Sequence, residues 1–176
     1  YINDRSAYNQ TLKALEENDG RQAILLITMQ NHTPYNEDTY DELKYSITDE
    51  TIDEEHRQKI ATYYQSLHNS DAYLGEFIDS LEKIDKKIAV LYFGDHSAGL
   101  FDNVKDNENK QVCDLAQLTP YFVYTNYDAE YQSRHLPTVS PNCIVNATFN
   151  VLNWQKSARS LNYTGNAGLK ILLHYL

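Results

Sequence analysis

The stretch AVLYFGDHSAGLF, residues 89–101, joins an apolar run to a pair of polar side chains. The apolar run, which starts at residue 87, predicts a strand buried on both faces, as is usual in parallel sheets. Gly94 allows a tight turn directly after that strand, and Asp95 and His96 follow it. Because ligands of open parallel sheets bind beyond the carboxyl ends of the strands, this pair is a candidate site.

The pattern around this stretch predicts an α/β chain. A second apolar run, at 22–29, predicts another strand buried on both faces, and a long amphipathic helix over 51–82 separates the two strands. A strand–helix–strand crossover implies parallel strands. The other predicted elements are a helix over 4–17, a strand over 120–125, a helix that begins near Pro141, and a helix or strand over 166–176. We therefore expect an α/β fold, a mainly parallel sheet with flanking helices, and one domain over residues 1–176.

Two helix starts carry capping signals. Asp4 is a residue type that caps helix N-termini, and it precedes the apolar stripe of the first helix. Thr51 and Glu54 have the spacing of a capping box at the start of the long helix. In that helix the apolar stripe is interrupted only at Ser70 and Asp71.

Polar side chains also follow the first predicted strand. The segment ITMQNHTPY places Asn31 and His32 directly after it. If the two strands are parallel neighbours, both loops open at the same edge of the sheet. We then expect His32, Asp95 and His96 to converge, although more than 60 residues of sequence separate the two loops.

A carboxylate and an imidazole at one sheet edge are a candidate metal site. Asp offers a hard oxygen and His a borderline nitrogen, a mixture that suits Mn²⁺, Zn²⁺ or Fe²⁺ better than Ca²⁺. The alternative interpretation is a hydrogen-bonded loop without a metal. The residues alone leave both interpretations open.

Charge and hydropathy exclude some classes of protein. The net charge of −10 argues against a nucleic-acid partner, which needs clustered Lys and Arg. No apolar run approaches the roughly 18 residues of a membrane helix, so we expect this segment itself to be soluble. The chain begins without Met, and we interpret it as a piece of a longer protein.

Three segments together resemble a known family. TMQNHTPYN, then YYQSLHNSDAYLGEFIDSLEKIDKKIAVLYFGDHSAGL, then LTPYFVYTN are similar to the sulfatase-like branch of the alkaline phosphatase superfamily. The similarity is to the lipoteichoic acid synthases and phosphoglycerol transferases in particular, from about residue 3 to about residue 152. It implies a partial alkaline-phosphatase-like fold, in which residues 1–176 form the C-terminal part of the catalytic domain and the N-terminal half is absent.

The resemblance implies roles for individual residues. Asp95 and His96 match an Asp-His pair that binds one divalent cation, Mn²⁺ in the lipoteichoic acid synthases, with Zn²⁺ or Mg²⁺ as alternatives. His32 matches a catalytic histidine that contacts the phosphate and assists the leaving group. We also predict substrate contacts from Asn31 and from Arg134, which follows the third predicted strand together with His135. The nucleophile, a threonine in this family, has no match in the chain.

The resemblance further implies a reaction and a location. The parent enzyme would move glycerophosphate from phosphatidylglycerol to a cell-envelope polymer or glycolipid, at the extracellular face of a bacterial membrane to which it is anchored. The chain alone would be inactive, and we expect it to self-associate in the absence of the N-terminal half. The alternatives are a sulfatase or a phosphoethanolamine transferase of the same superfamily, or a non-catalytic binding or scaffold relative.

Overall fold

The computed structural model describes residues 2–100, 117–129, 135–152 and 171–175, which form three α-helices and a four-stranded sheet. The helices are α1 (Asp4–Glu17), α2 (Glu54–Leu81) and α3 (Ile144–Val151), with short 3₁₀ helices at Glu37–Thr39 and Pro141–Cys143. The strands are β1 (Ile24–Ile27), β2 (Ala89–Phe93), β3 (Tyr121–Thr125) and β4 (Ile171–Tyr175). The helices and strands predicted for the first 152 residues are thus confirmed in type, and the ambiguous 166–176 segment contains a strand.

The sheet has the order β1-β4-β2-β3 and is mainly parallel. β4 runs parallel to both β1 and β2, whereas β3 runs antiparallel to β2. The expected parallel direction of β1 and β2 is confirmed, but they are not neighbours, because β4 lies between them. Their carboxyl ends nevertheless face the same edge of the sheet.

The core lies between the sheet and the helix pair α1–α2. Tyr8 of α1 stacks on Phe77 of α2, with ring centroids 4.6 Å apart, and both belong to a buried cluster that includes Val90 of β2. On the opposite face of β2, Leu91 packs in a second cluster with Ile144 of α3. β2 is therefore buried on both faces, as the sequence predicts.

The prediction that the first strand is buried on both faces is wrong. Ile24 and Leu26 pack on the core, whereas Leu25 and Ile27 are each 56% exposed. The physical reason is that, in the described part of the chain, the helices cover only one face of this strand. A continuous apolar run does not by itself reveal how many faces are covered.

Both predicted capping residues are also wrong. The N-cap of α1 is Asn3, whose side chain accepts a hydrogen bond from the backbone N–H of Ser6 at 2.9 Å. The N-cap of α2 is Asp53, which accepts from the N–H of His56 at 3.0 Å. Thr51 instead donates to the Asp49 carboxylate, so no Thr51–Glu54 box forms. The side chains of Asn3 and Asp53, one and two residues away from the predicted caps, accept the capping hydrogen bonds instead.

None of the helices within the described residues combines the length and the apolar character that crossing a membrane requires.

Candidate active site

The loops after β1 and β2 bring two histidines together. The ring centroids of His32 and His96 lie 6.2 Å apart, with the ring planes at 80°. Both side chains are exposed at the edge of the sheet where β1 and β2 end. The convergence expected from the sequence is therefore present, although β4 separates the two strands.

Asp95 and His96 form a compact pair. The backbone N–H of His96 donates to Asp95 Oδ1 at 2.9 Å, and His96 Nε2 lies 3.6 Å from Asp95 Oδ2. The Asp95 side chain is 32% exposed and that of His96 61% exposed, so both are accessible from solvent. A carboxylate oxygen and an imidazole nitrogen thus point into the same region.

Hydrogen bonds define which nitrogen of each histidine carries the proton. His96 Nδ1 lies 2.8 Å from the carbonyl oxygen of Ser97, and His32 Nδ1 lies 2.7 Å from that of Thr33. A carbonyl oxygen can only accept, so each Nδ1 is the protonated donor. In the neutral rings both Nε2 atoms then keep a lone pair, which is the form needed to bind a metal or take up a proton.

The loop that carries Asp95 is attached to the start of β3. The N–H of Gly94 donates to the carbonyl oxygen of Pro120 at 3.1 Å, and the hydroxyl of Thr119 donates to the carbonyl oxygen of Gly94 at 2.7 Å. A Cβ atom at position 94 would lie only 3.0 Å from the Cβ of Thr119. Any larger residue here would require Thr119 to move by a few tenths of an ångström.

Hydrogen bonds hold the loop that carries His32 in place. The N–H of His32 donates to the carbonyl oxygen of Met29 at 3.1 Å, and the hydroxyl of Tyr35 donates to the carbonyl oxygen of Asn31 at 2.8 Å. The side-chain amide of Asn31 donates to Ser70 of α2 at 3.0 Å. In this structure the Asn31 amide thus contacts the helix, and its predicted contact with substrate stays a prediction.

A buried polar network supports this loop, and sequence reasoning missed it. The hydroxyl of Ser70 accepts from Asn31 and donates to Asp4 Oδ2 at 2.6 Å. Asp4 is fully buried. Burial raises the pKa of its carboxyl above the ordinary value, and hydrogen bonds from Ser70 and Thr28 act in the opposite direction. The network connects the first turn of α1, the middle of α2 and the loop of His32.

The sequence did contain a signal for this network. Thr62, Ser66 and Ser70 recur at every fourth position of α2, and all three are buried. Four-residue spacing places side chains on one helix face. The interruption that the sequence shows at Ser70 is therefore part of a polar stripe on the buried face of the helix.

The described residues supply only part of a metal site. No cluster of three or more His, Cys, Asp or Glu side chains suited to a metal ion occurs within residues 2–100, 117–129, 135–152 and 171–175. Asp95 and His96 offer one carboxylate and one imidazole, which fit a divalent transition metal in donor type but not in number, since about four to six ligands are needed. The remaining ligands would have to come from elsewhere.

Two cavities lie beside this group of residues. One, of about 630 Å³, is lined by Asp95, Thr119 and His135, and otherwise largely by apolar side chains. The other, of about 620 Å³, has His32 in its wall. Arg134, predicted to contact substrate, lies outside the described residues.

The chain has recognisable relatives. The family model for sulfatases matches residues 1–150. The solved structure of the Streptococcus pyogenes phosphoglycerol transferase GacH in complex with sn-glycerol-1-phosphate superimposes with a TM-score of 0.72 at 26% identity, over 90% of this chain. A Rhizobium meliloti (strain 1021) protein whose name assigns it to cyclic beta-1,2-glucan modification is 23% identical over 99% of this chain.

These relatives are much longer than the chain. It covers 39% of the GacH chain and 28% of the Rhizobium protein.

Proposed function

The chain belongs to the sulfatase family, and from that premise we propose that it is part of a metal-dependent phosphoglycerol transferase. The observation that carries this proposal is the similarity in fold and sequence to a phosphoglycerol transferase over nine-tenths of the chain. The donor would be phosphatidylglycerol or a related phospholipid, and the acceptor a polymer or glycolipid of the cell envelope. The enzyme would act at the extracellular face of a bacterial membrane, where such acceptors occur.

Asp95 and His96 are the metal-binding residues of this proposal. A divalent cation held by the Asp95 carboxylate, by His96 Nε2 and by ligands outside the described residues would neutralise charge on the phosphoryl oxygens. We propose Mn²⁺, with Zn²⁺ or Mg²⁺ as alternatives. The hydrogen bond from His96 Nδ1 to Ser97 supports the assignment, because it keeps Nε2 free of a proton in the neutral ring.

His32 is the proposed acid and base. When the bond between phosphorus and the diacylglycerol oxygen breaks, that oxygen needs a proton, which protonated His32 can give from Nε2. When the acceptor hydroxyl then bonds to phosphorus, the bond between phosphorus and the nucleophile breaks, and the hydroxyl proton can return to the same nitrogen. The Nδ1–H···O bond to Thr33 fixes the ring during both steps. The nucleophile that carries the glycerophosphoryl group between the steps is proposed to lie outside this chain.

A lipid-cleavage assay on the complete enzyme tests the proposal. We expect Mn²⁺-dependent release of diacylglycerol from phosphatidylglycerol vesicles, and a fall of about 10²–10⁴-fold in the His32→Ala variant. Asp95→Asn should lower the rate as well, whereas Asn9→Ala, an exposed substitution on α1, serves as the matched control.

The same assay distinguishes phosphoglycerol transfer from a second candidate function, sulfatase activity, which the family name itself favours. A sulfatase would release 4-nitrophenol from 4-nitrophenyl sulfate and leave phosphatidylglycerol intact. A phosphoethanolamine transferase would cleave phosphatidylethanolamine instead. Either outcome would contradict phosphoglycerol transfer, and inactivity on all three substrates with intact metal binding would favour a binding or scaffold role.

A further inference from the structure

The cavity beside His32 is a defined space with a specific lining. It lies between the loop after β1, the start of α1 and the middle of α2, and its volume of about 620 Å³ is in the range of small-molecule sites. Every residue known to line it belongs to the first 73 residues. Because His32 forms part of the wall, a ligand in this cavity lies next to the proposed acid and base.

The described part of the lining has no permanently charged side chain. Among the described residues that line the cavity there is no Asp, Glu, Lys or Arg. Arg5, which lies 4.4 Å from the centre of the Tyr73 ring, is already held in an ion pair with Glu76. Within this lining an anion such as a phosphate group would have only His32, when that ring is protonated, as a partner cation, whereas a neutral polyol needs none.

The polar groups of the lining suit hydroxyl groups. Asn36 and Asn69 present amides, each of which can donate and accept, as a hydroxyl does. Asn69 Oδ1 already accepts from Gln65, so its N–H groups remain available as donors. Asn36 makes no side-chain hydrogen bond to the 3₁₀ helix that it precedes.

Aromatic rings complete the lining. Tyr40 and Tyr73 are half-buried and contribute apolar ring surface to the cavity. Amides and tyrosine rings in one lining match a ligand with hydroxyl groups and apolar C–H faces. A sugar ring has both, whereas an acyl chain has only the second.

The two cavities differ in which residues of the candidate site they contain. The cavity that includes Asp95 combines apolar side chains such as Leu118 and Val139 with polar ones such as Thr138. The cavity that includes His32 also has a mixed lining, and none of its described residues is an Asp, Glu, Lys or Arg. The acceptor hydroxyl must reach the nitrogen that takes its proton, and only this second cavity has His32 in its wall.

We propose that the cavity beside His32, with Asn36, Asn69 and Tyr73 in its wall, binds the carbohydrate acceptor as a neutral sugar. The inference rests on the proposed function, because it assigns the acceptor site of that reaction. It does not require the reaction for its test, since sugar binding can be measured directly.

Saturation-transfer NMR on the complete protein provides the test, with sophorose, the β-1,2-linked disaccharide of glucose, as the neutral probe. We expect sophorose to bind the wild type, and the Asn36→Ala and Tyr73→Ala variants to bind it about five- to tenfold more weakly, as the loss of one good contact predicts. Asn9→Ala should bind it like the wild type. If Tyr73→Ala does not fold, the comparison of Asn36→Ala with the wild type still tests the proposal, because Asn36 is exposed.

A second probe, sn-glycerol-1-phosphate, distinguishes an acceptor site from a site for the head group of the donor. We expect the variants to lose affinity for sophorose and not for sn-glycerol-1-phosphate. Absence of sophorose binding, equal sophorose affinity in wild type and variants, or a loss confined to sn-glycerol-1-phosphate would overturn the proposal. Sugar binding without lipid cleavage would leave this site standing and remove only the phosphoglycerol transferase assignment.

Discussion

Asp4 shows how a single residue can differ from what its sequence position indicates. At the start of a helix an aspartate usually caps the helix from the surface. Here Asn3 provides the cap, and the Asp4 carboxyl is enclosed between α1 and α2, where it accepts from Ser70. No local pattern distinguishes a capping carboxylate from a buried one, because burial depends on residues 66 positions apart in the chain.

The burial of Asp4 makes stability depend on pH. Because the pKa of Asp4 is raised above 3.8 in the folded protein, folding favours the protonated carboxyl. This contribution is fully present below pH 3.8 and is lost as the pH rises through the raised value. We expect Asp4→Asn to stabilise the complete protein relative to the wild type by an amount that grows between pH 4 and pH 7.

Urea unfolding at several pH values checks this expectation. Asp49 and Asp53 have lowered pKa values from their hydrogen bonds with Thr51 and His56, and they affect wild type and variant alike. A difference between the two proteins that does not change with pH would show that Asp4 does not titrate in this way.

Thr62 is a second buried polar residue. It is 1% exposed, and its hydroxyl has no hydrogen-bond partner within the described part of the chain. Valine has the same shape without the hydroxyl. We expect Thr62→Val to raise the free energy of unfolding by about 1 kcal/mol, since an unsatisfied buried hydroxyl is removed. Thr148→Val is the matched control, because Thr148 is equally buried but donates to the carbonyl oxygen of Ile144 at 2.9 Å. Equal destabilisation by both substitutions in denaturant melts would contradict the account.

At the scale of elements, local sequence predicted β2 and α2 well and the environment of β1 poorly. An apolar run of five or more residues specifies a strand of the core, and a stripe of period 3.6 specifies a helix. Neither specifies what packs on each face. The exposed Leu25 and Ile27 of β1 and the buried polar stripe of α2 both depend on neighbours that are distant in sequence.

The junction between β2 and the Asp95 loop depends on Gly94. A methyl group there would meet Thr119 at 3.0 Å, and Thr119 is itself hydrogen-bonded to the Gly94 carbonyl. We expect Gly94→Ala to destabilise the protein by about 1–3 kcal/mol through overpacking, and to lower turnover by displacing Asp95.

Gly75→Ala is the matched control for this substitution. Gly75 is exposed on α2, and a Cβ there meets nothing within 4 Å. It should stabilise the helix by about 0.5–1 kcal/mol. A Gly94→Ala protein with the melting temperature and activity of the wild type would show that the contact with Thr119 relaxes freely.

At the scale of the whole molecule, the order of the sheet could not be predicted. β4 follows β3 in the chain but inserts between β1 and β2, and this pairing leaves no local signal beyond an apolar run. The edge of the sheet that carries His32, Asp95 and His96 was predictable, because it needs only that β1 and β2 run in the same direction. The candidate site therefore followed from the sequence even though the strand order did not.

The exposed apolar face of β1 is a candidate surface for self-association of the isolated chain. Leu25 and Ile27 are exposed on this face, and Met29, two residues beyond the strand, is 37% exposed. We expect the isolated chain to self-associate through this face, and Leu25→Lys together with Ile27→Lys to weaken the association. Sedimentation equilibrium checks this, and a wild-type chain that is monomeric at all concentrations would contradict it.

Titration of the metal-free complete enzyme with Mn²⁺, followed by electron paramagnetic resonance of the free ion, tests the central assignment most directly. We predict that Asp95→Asn and His96→Ala each weaken Mn²⁺ binding by at least about tenfold. His56→Ala is the control, because His56 belongs to another exposed Asp-His pair, with Asp53 at 2.7 Å. Mn²⁺ binding that is lost in the Asp95 and His96 variants alone would support the site at the edge of the sheet. Mn²⁺ binding of equal strength in all four proteins would contradict it.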